Sequence, residues 1–243
     1  IAAVNILNTN RQLGQIDIFT QNVEMSMKEL STLDDLMDLA TGYLSTAWDK
    51  AVQANNQTYG KSSLEALKVE IDEITKTMVD LANTEYNDNY IFGGTNTKIL
   101  PYEQAENGDI IYNGTPYDNK DYIRQTEVAD GVFEVINTTG DKVFGYYKSA
   151  VEPGNGVYTD ANGKRVIEST DAGTGQKVYK YENGVEYTGD VADLTDGAEE
   201  EAVGVMGALR KLSNSLGTVV EGLEAGDDAM VQEGYAEMNS TLD

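Results

Sequence analysis

The sequence predicts an α+β protein: an elongated, heptad-patterned helical bundle formed by both chain ends, with a mainly antiparallel β domain inserted between them. Three observations carry that expectation. Apolar or small residues step by three and four along residues 30–54, 64–81 and 205–223, the period of a single buried helix stripe. All three prolines and 10 of the 15 tyrosines lie in residues 98–197. Asn-Gly pairs, which favour the tight turns of hairpins, recur in the same block at 107–108, 113–114, 162–163 and 183–184. The domain boundaries follow: residues 1–97 with 198–243 form the rod, and 98–197 form the insert.

Taken in order, the first element is one long helix. Its clean stripe is Leu33, Met37, Ala40, Leu44, Ala47, Ala51 and Ala54, continued less regularly upstream by Val4, Leu7, Ile16, Phe19, Val23 and Met27. No proline occurs in the first hundred residues, so nothing forces a kink. Asn55–Gly60 breaks the pattern, and Ser62 with Glu65 reads as a capping box opening a second helix. That helix carries Leu64, Leu67, Ile71, Ile74, Met78 and Leu81 as its core stripe. The chain then turns through Asn87-Asp88-Asn89, enters the apolar run Tyr90-Ile91-Phe92, and stops at Gly93-Gly94.

In the insert, Val132–Ile136 is a strand candidate. Tyr179 and Tyr181, then Val185 and Tyr187, alternate around Asn183-Gly184 as a two-stranded ribbon. Asp196 with Glu199 reads as a second capping box, after which Val205, Leu209, Leu212, Leu216, Val219 and Leu223 resume the helical stripe. Ala225–Asp228 ends that helix, and Val231, Tyr235, Met238 and Leu242 mark the last one. An insert that only starts and finishes near one end of the rod is expected to be dispensable for the helices.

Composition narrows the chemistry. Cysteine and histidine are both absent, which excludes disulfides, a thiol nucleophile, a histidine base and any His/Cys metal site. The net charge of −25 repels phosphate backbones and anionic lipid, arguing against nucleic acid or a membrane surface as partner. The charge is spread evenly, −8, −9 and −8 over residues 1–97, 98–197 and 198–243, so no acidic tail stands apart. No apolar run reaches the roughly 20 residues of a membrane-spanning helix. The chain begins at Ile1 without a secretory signal and is expected to be part of a longer protein.

Candidate ligand sites reduce to simpler explanations. Gly93-Gly94-Thr95 lacks a Walker lysine and follows a helix where a phosphate loop would open one. Asp160–Gly163 and Asn87–Asn89 offer oxygen ligands without the calcium-loop spacing, and turn chemistry accounts for both. No carboxylate pair sits in an apolar setting that would tune it for hydrolysis. The expectation is no catalytic residue, no metal and no cofactor. The tyrosine-rich sheet offers the better face for a glycan or a protein, although a sheet's own core uses most such residues.

Three segments carry a resemblance to the bacterial flagellin superfamily. Ala51-Val52-Gln53-Ala54, with the Asn55–Thr58 loop, is similar to that family's loop approach. Asn83 and Thr84, followed by Tyr90-Ile91-Phe92-Gly93-Gly94, resemble the second helix's exit in the hook-associated protein 3 branch, the hook–filament junction subunits, more than in flagellin itself. Leu223–Asp227 with Leu242-Asp243 looks like the start of the last helix. Asp88 stands where the family usually has glycine, a substitution that a left-handed turn tolerates.

The resemblance implies a secreted structural subunit of the extracellular flagellum. It would polymerise by lateral helix packing with copies of itself, other hook-associated proteins and flagellin, with the β domain facing solvent. The family's extreme terminal helices, read by the export apparatus and open to an export chaperone, have no counterpart here. No nucleic-acid or membrane-insertion role is implied. Two alternatives stay open: flagellin or a filament variant, and an extracellular glycan-binding or adhesion module using the tyrosine-rich β domain.

Overall fold

With no proline to interrupt it, the first stretch of chain forms one continuous helix. The computed structural model describes residues 2–242 except Gln57, Ala172 and Asn183, and of Ala2, Ala3 and Val4 only the backbone. Helix α1 spans Ala2–Ala54, 53 residues and therefore about 80 Å at 1.5 Å per residue. After a short loop, α2 (Lys61–Ala82) returns along it. A hairpin of β1 (Glu85–Tyr86) and β2 (Asn89–Tyr90) follows, turning through Asn87 and Asp88 with φ of 50° and 59°. Asparagine and aspartate are the non-glycine residues that tolerate this left-handed geometry best.

The central strands are β3 (Tyr102–Gln104), β4 (Ile110–Tyr112), β5 (Gln125–Ala129) and β6 (Val132–Val135). One helical turn, α3 (Gly140–Val143), separates these from β7 (Tyr146–Lys148), β8 (Val157–Thr159), β9 (Arg165–Thr170), β10 (Lys177–Tyr181), β11 (Thr195–Asp196) and β12 (Glu201–Val203). Helices α4 (Gly204–Ala225) and α5 (Asp228–Leu242) close the chain. Left-handed Gly226, with φ of 69°, caps α4. The strands make an inner sheet, order β12-β7-β4-β3, an outer sheet, order β10-β9-β8-β11, and the separate hairpin β5-β6, all antiparallel.

Helices from both chain ends pack together, as the heptad stripes require. Leu64, Leu67 and Ile71 of α2 bury against Leu212, Leu216 and Val219 of α4, with Ala51, Ala54, Tyr235 and Met238 completing that cluster. Met78 of α2 and Leu209 of α4 sit in a second cluster, while Ile74 and Leu81 lie half-buried at its margin. Thr75 takes the fully turned-in position beside Ile71 and returns its hydroxyl to the Ile71 carbonyl at 2.8 Å.

The second cluster crosses the boundary expected at 97/98. Leu36, Met78 and Leu209 of the helices share it with Ile91, Phe92, Tyr102, Ile110, Phe144 and Tyr147. The inner sheet is therefore not an insert independent of the rod, because its buried face and the helices' buried face are one core. Gly145 marks how close the two come: at φ of 72°, a side chain there would meet the Val203 carbonyl oxygen at 1.8 Å.

Several local expectations are corrected. Gly60 occupies the N-cap of α2 and no side chain caps it; helical geometry has begun at Lys61, so Ser62 sits in the first turn and its capping box with Glu65 does not form. Asp196 belongs to β11 and accepts from the Gly154 N–H at 3.1 Å, while α4 starts only at Gly204. The reason is that residues 201–203 pair with β7 as β12. Asn113-Gly114 makes no hairpin tip, since Asn113 lies past the β3–β4 turn and donates to the Pro101 carbonyl at 2.7 Å. The expected Tyr179–Tyr187 ribbon survives as a short bridge on the edge of β10 away from β9, with Tyr181 N–H donating to Val185 O, Tyr187 N–H to Tyr179 O and Gly184 N–H to Tyr181 O. Its Asn183, the Gln57 loop position, Asp243 and the Val4 side chain lie outside the described residues. The upstream stripe of α1 is only partly covered: Leu7, Ile16 and Met27 are exposed, because α2 and α4 reach back only to Leu33 and Leu36, while Phe19 and Val23 are half-buried beside β5.

Two outcomes follow for stability. Leu67→Ala or Leu212→Ala should cost about 2–5 kcal/mol in denaturant melts, whereas Glu70→Ala, which loses only a surface pair with Lys50, should cost about 1 kcal/mol or less. Equal losses at Leu67 and Glu70 would contradict the stripe assignment. The second outcome concerns alkali. Burial pushes the Tyr102 and Tyr112 phenols well above the ordinary tyrosine range and the Tyr147 phenol up to about 12. The folded state thus favours the neutral phenol, while the unfolded chain ionises near pH 10; this contribution is whole below about pH 10 and falls as pH rises toward 12. Denaturant midpoints measured alongside tyrosinate absorbance should drop together over that window.

The helix-to-sheet joint and a candidate assembly surface

The joint is built where α2 ends. Asn83, its C-cap, extends an amide that imitates a strand: Nδ2 donates to the Tyr102 carbonyl at 2.9 Å and Oδ1 accepts from the Tyr102 N–H at 2.8 Å. Thr84 accepts through its carbonyl from the Ile91 N–H at 3.2 Å, closing the β1–β2 excursion. Tyr90 is half-buried with its N–H on the Thr97 carbonyl, and a hydrogen bond to the Glu85 carboxylate holds its phenol above the ordinary value.

Ile91 and Phe92 then plunge into the core. The Phe92 ring meets Phe144 edge-on at 4.9 Å, and its carbonyl accepts from Tyr112 Oη at 2.8 Å and the Gly140 N–H at 2.9 Å. The chain escapes through Gly93-Gly94. A side chain on Gly93 would meet the Asn96 carbonyl oxygen at 2.8 Å, and Gly94, at φ of 68°, leaves no room beside Thr115. The pair is thus a packing requirement of the exit turn.

The other motif lies at the far end of the rod. Ala51 and Ala54 are fully buried, small enough to let α2 and α5 close over α1, while Val52 and Gln53 face outward. Gln53 donates to Tyr59 Oη at 2.8 Å, and Asn55 ties the loop to α5 through Asn239 at 2.6 Å. The two motifs do not meet; each ends one pole of the bundle.

Beyond the bundle, α1 runs on with apolar residues uncovered: Ile6, Leu7, Leu13, Ile18 and Met25 are all exposed. The hairpin β5–β6 leans on this stretch. Asn22 donates to the Glu127 carbonyl at 2.9 Å, and the Arg124 guanidinium pairs with Glu29 at 3.0 Å. The hairpin's outer strand itself shows Val132, Phe133 and Val135 to solvent, Phe133 at 54% exposure. Exposed apolar side chains in this number on one stretch of helix, spread over more than one of its sides, mark a segment built for interaction.

Among the described residues no group of three or more acidic, His or Cys side chains could hold a metal ion, and no helix is long and apolar enough to cross a membrane. At the Asp160 turn the carboxylate accepts from the Asn162 and Lys164 N–H groups, each at 2.8 Å, and from Tyr181 Oη at 3.0 Å. These bonds, the Lys164 amide first, lower its pKa and use the oxygens that a cation would need. Sequence reasoning missed the strand-like use of Asn83, the docking of β5–β6 on α1, and the burial of Arg165. Of these only Asn83 left a local signal, as the residue closing a helix before an extended run.

Residues 2–97 match the family model of the bacterial flagellin N-terminal helical region. Flagellar hook-associated protein 3 of Salmonella typhimurium is 29% identical over 127 residues, 52% of this chain and 38% of that protein. The chain thus matches well under half the length of this curated relative. Among solved structures, the flagellar hook-associated protein-3 of Legionella pneumophila aligns over 98% of this chain and 87% of its own, with a TM-score of 0.61 at 16% identity. FlgL of Xanthomonas campestris covers 96% of this chain and 90% of its own, with a TM-score of 0.56 at 17% identity. Residues 2–97 are thus similar to the bacterial flagellin N-terminal helical region, and the described chain shares its fold with the flagellar hook-associated protein 3 structures.

Proposed function

We propose that this chain is a structural, non-catalytic subunit of the bacterial flagellum, placed at the junction between hook and filament and assembled by side-to-side packing of its helices. The observation that carries the reading is the half-covered α1: a packed bundle from Leu33 to Ala54, and upstream of it a stretch of the same helix whose Ile6, Leu7, Leu13, Ile18 and Met25 stay exposed. A subunit that worked alone would gain nothing from leaving those side chains in water. Copies of the same chain, other hook-associated proteins and flagellin are the proposed neighbours, and the proposed destination is the extracellular flagellum after export, with a chaperone engaging terminal segments outside this sequence. The likeness to hook-associated protein 3 in both sequence and fold favours the junction over the filament proper.

A charge of −25 opposes association most where screening is weakest, so these residues alone should remain monomeric at low salt. Light scattering across a salt series checks this; filaments formed at low salt by residues 1–243 would contradict it. Position is tested on cells. Immunogold against this chain should mark a single band where hook meets filament, and deletion of the parent gene should leave hooks bare. Label distributed along the filament would establish the flagellin alternative instead.

A further inference from the structure

The outer sheet is attached to the molecule by polar groups, without a core of its own to share. Val166 is the one buried apolar side chain described between residues 153 and 197, and neither hydrophobic cluster takes any residue from that stretch. Two connections join it to the inner sheet, 149–156 on the way out and 197–200 on the way back. They pair once, Val151 N–H to the Ala198 carbonyl at 2.7 Å and Ala198 N–H to the Val151 carbonyl at 2.9 Å. A small polar interface of this kind leaves relative motion as the default.

Among the described residues, one deeply buried side chain opposes that motion most directly. Arg165, the first residue of β9, has its side chain only 4% exposed. Its Nη2 donates to the carbonyls of Ser149 at 2.8 Å, Glu199 at 2.7 Å and Lys148 at 3.3 Å, and its Nε donates to the Glu201 carboxylate at 3.2 Å. All four acceptors lie at the ends of β7 and β12 or in the strands' continuations, on both connections at once. Only a planar guanidinium presents enough fixed donors for this; an ammonium is a compact point charge on a flexible stem. Lys148 reinforces the site from outside, pairing with Glu182 just beyond β10 and with Glu201 at 3.7 Å.

We propose that Arg165 is a latch that fixes the direction of the outer sheet relative to the rod, and that the outer sheet is a lobe free to swing on residues 149–156 and 197–200 once the guanidinium is withdrawn. Removing a buried cation strands three carbonyls and a carboxylate at the crossing, which must then reach water by opening it. No residue between 153 and 197 belongs to either hydrophobic cluster, so the bundle and the inner sheet stay closed. The inference is independent of the assembly role proposed above.

Segment-resolved hydrogen exchange on the whole chain tests it with Arg165→Met and Arg165→Lys. In Arg165→Met, amides of β8, β9 and both connections should exchange at least about tenfold faster, the factor that 1.4 kcal/mol gives, while those of α2 and α4 stay within about twofold of the parent. Arg165→Lys, keeping charge without the fork, should fall between the two. Acceleration spread equally over α2, α4 and the outer sheet would overturn the latch, and so would a chain that fails to fold as Arg165→Met. Unchanged exchange in both variants would overturn it equally.

Discussion

The structure depends on the seating of Ile91 and Phe92 between helices and sheet. Before that point the chain is a helical hairpin whose buried face is only half covered; after it, every strand of the inner sheet adds to the same core. Phe92 meets Phe144 through its ring and Tyr112 and Gly140 through its carbonyl, so one residue ties α2's exit to β4 and to α3. Tyr102 extends the tie, its ring against Phe144 and its hydroxyl donating to the Gly145 carbonyl at 2.8 Å. Nearby, at Gly145, the chain passes too close to Val203 for any side chain, and Gly204 opens α4. Both ends of the polypeptide thus enter the bundle beside one aromatic cluster, and the rod's second pole, at Ala51 and Ala54, needs only helix packing.

Distance from this cluster orders the rest of the molecule. The inner sheet shares the core and is held by apolar burial. The hairpin β5–β6 lies on α1 through the Asn22 amide, the Arg124–Glu29 ion pair and half-buried Phe19 and Val23 beside Val128, and keeps an apolar outer strand in water. The outer sheet has tyrosines for its half-buried face, with Tyr158 and Tyr179 both donating to the Glu168 carboxylate, at 3.2 and 2.9 Å, beside Lys177. Those hydroxyls are spent on the sheet's own carboxylate, which leaves the tyrosine face better suited to holding a thin sheet together than to gripping a sugar. A rod with a firm inner layer and more lightly held outer parts suits a subunit whose neighbours contact mainly its helices.

What the sequence made legible is what period and composition can encode. Three-and-four spacing located α1, α2, α4 and α5 because a helix that packs on a core buries one face at that period. The Asn87-Asp88 turn and Gly226 cap were legible because only certain residues accept their backbone geometry. Strand order was not, since Ile110 opposite Tyr147 and Ala202 opposite Tyr147 are pairings across 37 and 55 residues that no local pattern records. For the same reason residues 201–203 read as part of a helix start, although they complete a sheet. The junction motif was visible as a string, yet its role in joining two layers emerges only when Tyr102, Phe144 and Asn83 converge on it. Arg165 carried no signal at all, being one of four arginines in a chain crowded with carboxylates.

The central claim is that helices and inner sheet unfold as one body because they share the core around Phe92. Hydrogen exchange measured under native conditions on Phe92→Ala tests it most directly. Loss of that ring should lower the opening free energy of α2 near Met78, α4 near Leu209, and β4 and β7 by a common amount, about 3–5 kcal/mol. A loss confined to β4 and β7, with the helices as protected as before, would show that the sheet is an appendage and contradict the account.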